Sequence, residues 1–457
     1  MNLEHYKYFY FIGIGGIGMS ALARYFKANG KHISGYDKTP TPLTDELISE
    51  GMNIHFEDNI DLIPEQVRDN SNETLVVYTP AIPSSQHELN YFSLHRYEIK
   101  KRAEVLGLLT EKTFTVAVAG THGKTTTSSM IAYILNYSGK SCTAFLGGIA
   151  KNFNSNLLLT ETRTESSVMV VEADEYDRSF LKLNPDTAVI TSTDADHLDI
   201  YGSRESMLES YLQFSKNIKY GGRLFAKAGL GFSEKCTSYS VTDSKAKYFA
   251  KNIRIENHRY KFDIENSIEP IRDVVSGMPG LHNVENALAA AALTQYLGVS
   301  SQKIKEAIES FSGVKRRFDL QFTSPSLTYI DDYAHHPEEL RACISSVKTM
   351  YPGEKITGIF QPHLFSRTRD FAEEFAESLS LLDRIILLNI YPARELPIAG
   401  ITSEILLNKI KLSEKSVLSA DEAIQEVRQL RKGVILTLGA GDIDQLVEPI
   451  KIILSTR

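Results

Sequence analysis

Cysteine is scarce in this chain: three in 457 residues, at Cys142, Cys236 and Cys343, with no C-x-x-C pair. That excludes a disulfide framework and a cysteine-based zinc cluster, and it reads as reduced thiols in a cytosolic protein. Long hydrophobic runs are absent as well. The apolar stretch 287–293 meets Gln295 and Gly298 too soon to reach the ~20 residues of a membrane-spanning helix, so no membrane insertion is expected. The N-terminal Met1-Asn-Leu-Glu-His lacks the basic region and cleavage site of a signal peptide, and a cytoplasmic location is expected. Basic residues are not in excess. There are 50 Lys and Arg against 57 Asp and Glu, a net charge of −7 with the signs interspersed. That balance argues against a nucleic-acid partner and leaves room for local phosphate pockets. There is no internal repeat and no low-complexity segment. A chain of this length is expected to form about three domains.

What is present is glycine placed at strand ends. Val116-Ala-Val-Ala-Gly-Thr-His-Gly-Lys-Thr-Thr-Thr127 reads as a strand, a tight turn and a helix start. Gly120 and Gly123 let the backbone curl, so that N–H groups at the helix start face an anion. Gly120, Thr121, His122, Gly123 and Thr126 make the cradle. Lys124 adds a point charge for a phosphate, and Thr125 offers a hydroxyl to Mg²⁺. Binding of ATP with magnesium is expected. The loop is a shortened P-loop, with Val118 where the strict pattern has its first glycine.

A second glycine loop, Gly13-Ile-Gly-Gly-Ile-Gly18, follows strand 8–14 and precedes helix 19–28. Asp37 ends the next strand about 20 residues on, as the dinucleotide fingerprint requires. Such a loop holds a pyrophosphate, and UDP-sugars carry one as dinucleotides do. The magnesium P-loop further along favours the UDP-sugar; plain helix–strand packing is the remaining alternative. Gly13, Gly15, Gly16, Gly18 and Asp37 are the candidate contacts, with Thr79 and Ala81 after strand 75–78.

Strands and helices alternate throughout, which predicts an α/β protein with parallel, doubly wound sheets. Three domains are expected: a Rossmann-like UDP-binding domain over 1–106, a central P-loop-type ATPase domain over 107–314, and a C-terminal Rossmann-like α/β domain over 315–457. In the central domain, strands 168–171 and 188–191 end in acidic clusters, Glu172-Ala-Asp-Glu-Tyr-Asp177 and Asp194-Ala-Asp-His-Leu-Asp199. Ligands sit at the carboxyl ends of parallel strands, so both clusters belong to the rim of the P-loop. Glu172, nearest its strand, can reach Mg²⁺. Asp174, Glu175 and Asp177 read as a solvated acidic loop, against the alternative that they too reach the metal. His197 is either a surface residue or a metal ligand. Residues 222–275 look like a peripheral meander, and 283–297 are helical by their alanine content. Asn283 and Asn286, three apart, face one way; they either pair with adenine or cap the helix. In the third domain, Asp332-Tyr-Ala-His335 and Gln361-Pro-His-Leu-Phe-Ser-Arg-Thr-Arg369 follow strands. The second cluster suits a small carboxylate, against the alternative of a solvated basic loop.

Read in order, F-I-G-I-G-G-I-G-M-S, G-T-H-G-K-T-T, E-A-D-E, D-x-D-H-x-D, H-N-x-x-N, K-R-R-F, D-D-Y-A-H-H-P, Q-P-H-x-x-S-R-T and G-A-G-D-I span nearly the whole chain. This set resembles the Mur ligase family, and His122 resembles the branch acting on UDP-N-acetylmuramate. The resemblance implies an ATP-dependent amide-forming ligase of peptidoglycan precursor synthesis. The lactyl carboxylate of UDP-N-acetylmuramate would take the γ-phosphate of ATP, and the amine of L-alanine would displace phosphate from the acyl phosphate. The resemblance assigns Lys124 to the triphosphate and Thr125, Glu172 and His197 to two magnesium ions. It assigns Asn283 and Asn286 to adenine, Arg317 rather than Arg316 to the γ-phosphate, and Asp332 to the ribose region. Tyr333, His335, His363 and Arg367 would form the amino-acid pocket. Lys124, His197 and Arg317 are the expected catalytic residues, with His197 or His335 the base for the alanine ammonium. The chain departs from the family pattern at Leu364, where some relatives have Arg, and at Arg394, which replaces a common glycine.

Three rival functions share parts of these signals. A sibling ligase adds a recycled tripeptide to the same sugar nucleotide. An NAD-dependent oxidoreductase would rest on G-x-G-x-x-G alone. A non-enzymatic nucleotide switch would not need the acidic and His–Arg clusters.

Overall fold

The computed structural model describes residues 2–160, 166–194, 198–233, 236–393 and 395–456. They form two compact units: Met1–Asn252 with Phe262–Val274 and Glu285–Ser312, and Ile253–Lys261 with Val275–Val284 and Gly313–Arg457.

The first unit holds two sheets. The smaller is wholly parallel, in the order Asn53–His55, His32–Tyr36, Tyr8–Ile12, Thr74–Tyr78, Glu98–Lys101. Its central strand, Tyr-Phe-Tyr-Phe-Ile, is apolar on both faces because both are covered. Phe9 and Phe11 enter one core, Tyr10 and Ile12 the other, as strand alternation requires. Phe9 stacks at 4.0 Å on Phe26 of helix Ile17–Ala28, so the helix that follows the first glycine loop is seated by its own strand.

In the larger sheet the P-loop strand Phe114–Ala119 lies between Val168–Glu172 and Thr187–Ile190, parallel to both. The two acid-tipped strands therefore flank the P-loop on one rim, as expected from sequence. Beyond Val168–Glu172 come Cys142–Ala150 and Ser155–Leu158, strands that the sequence pattern does not predict. Residues 222–275 are more regular than the expected meander. Arg223–Lys227, Thr237–Ser240 and Tyr248–Glu256 continue the sheet in parallel, and only then does the chain turn back through Asn257 and His258, both at positive φ. One core runs from the smaller sheet into the larger: Tyr25 meets Phe145 at 5.2 Å, and the same cluster continues to Phe180, Tyr211 and Phe214.

The second unit is built on six strands ordered Asp319–Thr323, Leu327–Asp332, Gly433–Leu438, Ile356–Phe360, Arg384–Leu387, Glu414–Val417. All pair in parallel except the first, which forms a hairpin with the second. The strands expected before the Asp332 and Gln361 segments are both present, as Leu327–Asp332 and Ile356–Phe360, because the centre of a parallel sheet carries continuous apolar runs. The short edge strand Glu414–Val417 carries no such signal.

Candidate active site

The P-loop is held from the rim beside it. Thr121 N donates to Ser192 O at 3.3 Å, His122 N to Ser192 Oγ at 2.8 Å, and Thr121 Oγ1 to Asp194 O at 2.7 Å. Gly120 has a positive φ, and a Cβ there would meet Thr191 Oγ1 at 2.1 Å. Gly123 also has positive φ and starts helix Lys124–Tyr137. An added Cβ on it would lie 2.6 Å from Asn286 Oδ1, which also accepts from Thr127 Oγ1 at 3.2 Å. Asn286 thus backs the loop directly. Asn283, one turn earlier on helix Leu281–Tyr296, is buried and donates to Pro279 O at 2.6 Å. Thr125 and Thr126 are buried in the first turn of the P-loop helix.

Lys124 is folded back onto its own loop. Its Nζ donates to Gly120 O at 2.7 Å, to Thr121 O at 3.1 Å and to Glu175 Oε1 at 2.8 Å. Burial opposes the charge on Lys124, but the carboxylates of Glu175, Glu172 and Asp174 outweigh it and hold the ammonium above the ordinary lysine range. Glu175 is the member of the pair whose charge is costly. Burial pushes it up to about 7, with Lys124 working the other way. The expectation of a solvated loop at Glu175 is corrected by the structure. Its side chain is 2% exposed, because Tyr201 Oη fastens the Glu175 carbonyl at 2.7 Å and turns the segment inward. A glutamate within an acidic run after a strand gives no sequence signal of that inward turn.

Glu172 lies opposite Val118 in the strand register, beside the P-loop. Its Oε2 accepts from Gly147 N at 3.0 Å, and a Cβ at Gly147 would sit 2.2 Å from the same oxygen. Gly147 carries no signal in the sequence, since only the neighbouring strand shows that a side chain there would displace the acid. Glu172 and Asp174 line a cavity of about 250 Å³ that is also lined by Gly16, Gly18, Thr79 and Arg102. The first glycine loop and the acidic rim thus share one cavity. Asp37 Oδ2 accepts from Gly15 N at 2.7 Å and fixes the loop's shape. Gly13 has φ of 86°, and a Cβ there would press on Thr79. Ala81 is exposed on the turn that follows. His197 and Arg394 lie outside the described residues.

In the second unit, the turn Lys315-Arg-Arg-Phe318 carries Arg316 and Phe318 at positive φ, an expensive conformation for side-chain-bearing residues. Arg316 donates to Gly439 O at 2.6 Å and faces Asp331 at 3.4 Å. Both guanidinium groups lie over the Tyr333 ring, Arg316 at 5.1 Å and Arg317 at 5.0 Å, so it is the Gly439 and Asp331 contacts that tell them apart. The geometry thus separates the two arginines: Arg316 anchors the turn, and Arg317 is presented by it. Asp332 Oδ2 accepts from Phe318 N and its Oδ1 from Ala334 N, so the carboxylate ties this turn to the loop that follows its own strand, and burial pushes it up to about 6. Tyr333 and His335 are in ring contact at 5.2 Å, His335 and His363 at 5.8 Å, and His363 stacks on Tyr391 at 5.7 Å. Burial first, and then Arg367 and Arg317 against the opposing Glu339, keep His335 below the ordinary histidine range. Tyr333, His335, His363 and Arg367 are therefore neighbours, as expected from sequence. Tyr391 and Glu395 join them without any signal in the sequence. Glu395 accepts from Ser366 N at 3.0 Å at the start of helix Phe365–Asp370, which carries Arg367. Leu364 caps that helix with φ of 70°.

Three family models match in succession: "Mur ligase family, catalytic domain" over residues 8–113, "Mur ligase middle domain" over 118–294, and "Mur ligase, glutamate ligase domain" over 316–441. The chain is 51% identical over 452 residues to the UDP-N-acetylmuramate–L-alanine ligase of Flavobacterium johnsoniae, covering 99% of this chain and 98% of that one. Among solved structures it is similar to the UDP-N-acetylmuramate–alanine ligase of Thermotoga maritima, with a TM-score of 0.83 at 29% identity over 98% of this chain and 99% of the other. The murein peptide ligase of Psychrobacter arcticus shares the fold, with a TM-score of 0.69 at 22% identity over 99% of both chains.

Proposed function

The chain belongs to the Mur ligase family, and we infer that it is an ATP-dependent amide-forming ligase joining L-alanine to the lactyl carboxylate of UDP-N-acetylmuramate. We place this reaction in peptidoglycan precursor synthesis and in the cytoplasm. No helix among the described residues is long and apolar enough to cross a membrane. The observation that carries the reading is the shared cavity: Gly16 and Gly18 of a pyrophosphate-type loop and Glu172 of the P-loop rim line the same space. A sugar nucleotide seated on the first loop presents its sugar substituents to the triphosphate site. An oxidoreductase has no use for that arrangement. The 51% identity over the full chain favours L-alanine over the recycled tripeptide.

In the proposed reaction a lactyl carboxylate oxygen attacks the γ-phosphorus of ATP, ADP leaves, and a mixed anhydride forms. The nitrogen of alanine then attacks the activated carbonyl carbon and inorganic phosphate leaves, its oxygen coming from the carboxylate. Lys124 and Arg317 are proposed to neutralise charge as the phosphoryl group transfers. Thr125 and Glu172 are oxygen donors of the kind magnesium prefers, and with His197 they are proposed to hold two ions. Magnesium there would supply charge neutralisation on the phosphoryl oxygens. Asn286 and Asn283 are proposed at adenine and Asp332 near the ribose. Arg367 would pair with the alanine carboxylate. His335 is proposed as the base: its Nδ1 faces Tyr333 O at 3.0 Å, and a carbonyl can only accept, so Nε2 carries the lone pair.

The test is ADP release with ATP and UDP-N-acetylmuramate, scanning single amino acids and the tripeptide. Release that requires UDP-N-acetylmuramate and is driven by L-alanine supports the reading. A response to the tripeptide alone assigns the sibling activity. NADH binding without ADP release overturns ligation.

A further inference from the structure

The shared cavity contains a cation that the chemistry above leaves unused. Arg102 opens helix Arg102–Glu111 and is the one basic side chain among the described residues that line the cavity. Its guanidinium packs against Gly18, where an added Cβ would come within 2.4 Å of Nη1. Nη2 donates to Asp174 Oδ2 at 3.2 Å. The seat is electrostatically uneasy. Gly18 belongs to the first turn of helix Ile17–Ala28, whose N-cap, Gly16, makes no side-chain cap bond. A guanidinium there faces the positive end of the helix dipole, where anions are favoured and cations are not. Asp174, 40% exposed, offsets this only in part. An anion with several oxygens, bridging the Gly18 backbone and the guanidinium, would satisfy both at once.

We propose that Arg102 binds the diphosphate of the sugar nucleotide, exchanging Asp174 for it. The assignment rests on the functional reading above. It names a residue outside both glycine loops and gives Gly18 a second purpose: any side chain at that position would push the guanidinium off the loop. It also gives Asp174 a role distinct from Glu172, as the competitor that diphosphate displaces. A purely structural pair, fastening helix Arg102–Glu111 to the acidic rim, would make Arg102 and Asp174 equivalent; the exchange makes them opposites.

Calorimetric titration of the full-length protein with UDP, UDP-N-acetylmuramate and ATP separates these cases. R102Q should weaken UDP and UDP-N-acetylmuramate alike by tenfold or more and leave ATP within about twofold. R102K should recover part of the loss. D174N should bind UDP at least as tightly as the unmodified protein. An R102Q that binds UDP normally overturns the proposal, as does a shared defect in R102Q and D174N. A loss confined to UDP-N-acetylmuramate, whose carboxylate UDP lacks, also overturns the diphosphate assignment. Unmodified protein that binds neither uridine nucleotide sinks the functional reading and this inference with it.

Discussion

The ammonium of Lys124 and the carboxylate of Glu175 form a buried pair at 2.8 Å, on the rim where the P-loop expects a phosphate. Removing one partner of such a pair strands the other. Lys124→Ala should cut ligation by ~10²–10³-fold through lost charge stabilisation. It should also lower stability by up to about 3–5 kcal/mol, less whatever Glu175 recovers by taking a proton. The double variant Lys124→Ala/Glu175→Gln should regain the stability and not the activity. Melting curves beside ADP-release rates check this; a double variant as unstable as the single one would show that the pair is not what stabilises the rim.

Gly147→Ala places a methyl group 2.2 Å from Glu172 Oε2 and must displace that carboxylate. Ligation should fall by ~10–100-fold, with a higher magnesium requirement. UDP affinity should change far less, because the three nearest atoms that an added Cβ meets all belong to Glu172. Rates measured across a magnesium titration decide it, and an unaltered magnesium dependence would remove Glu172 from the metal site.

Arg367→Ala should raise the KM for L-alanine more than tenfold, since losing a buried charged hydrogen bond costs on the order of 2–5 kcal/mol. Binding of both nucleotides should be unaffected. The variant should still form the acyl phosphate, which borohydride reduction would trap as the alcohol. Normal alanine kinetics would move the carboxylate anchor towards Tyr333 and His335.

His282 is pushed down to about 4, chiefly by burial and then by Arg317. Its imidazole should therefore stay neutral through the range where an exposed histidine charges, which an NMR pH titration reads directly. The linkage has a definite sign. Below pH 6.5 the unfolded chain binds a proton that the folded protein refuses until about pH 4, so stability falls as pH drops across that window. The full shift corresponds to roughly 3 kcal/mol, and the partial exposure of His282 reduces it. His282→Gln should flatten the acid limb. A His282 resonance that titrates near 6.5 would contradict the burial.

Much of the site is legible in the sequence itself, for a physical reason. Glycine loops at strand ends, the lysine and threonine that follow, and the acids that end neighbouring strands are all local signals. Parallel-sheet topology obliges such strand ends to share a rim. Gly120, Lys124 and Glu172 can be placed by that logic alone. So can the neighbourhood of Tyr333, His335, His363 and Arg367, once their strands are recognised. Tertiary structure decides what each side chain does once it is there. Arg316 and Arg317 are adjacent and chemically identical, and only the positive-φ turn and the Asp331 and Gly439 contacts make one an anchor and the other a presented cation. Glu175 reads like its solvated neighbours until Tyr201 turns it inward onto Lys124. Gly147 and Arg102 belong to segments with no glycine-loop or acidic signature, and they matter because packing brings them against Glu172 and Gly18. Periodicity and loop chemistry specify where a strand ends; long-range packing specifies which charge its last residue meets, and no local pattern encodes that.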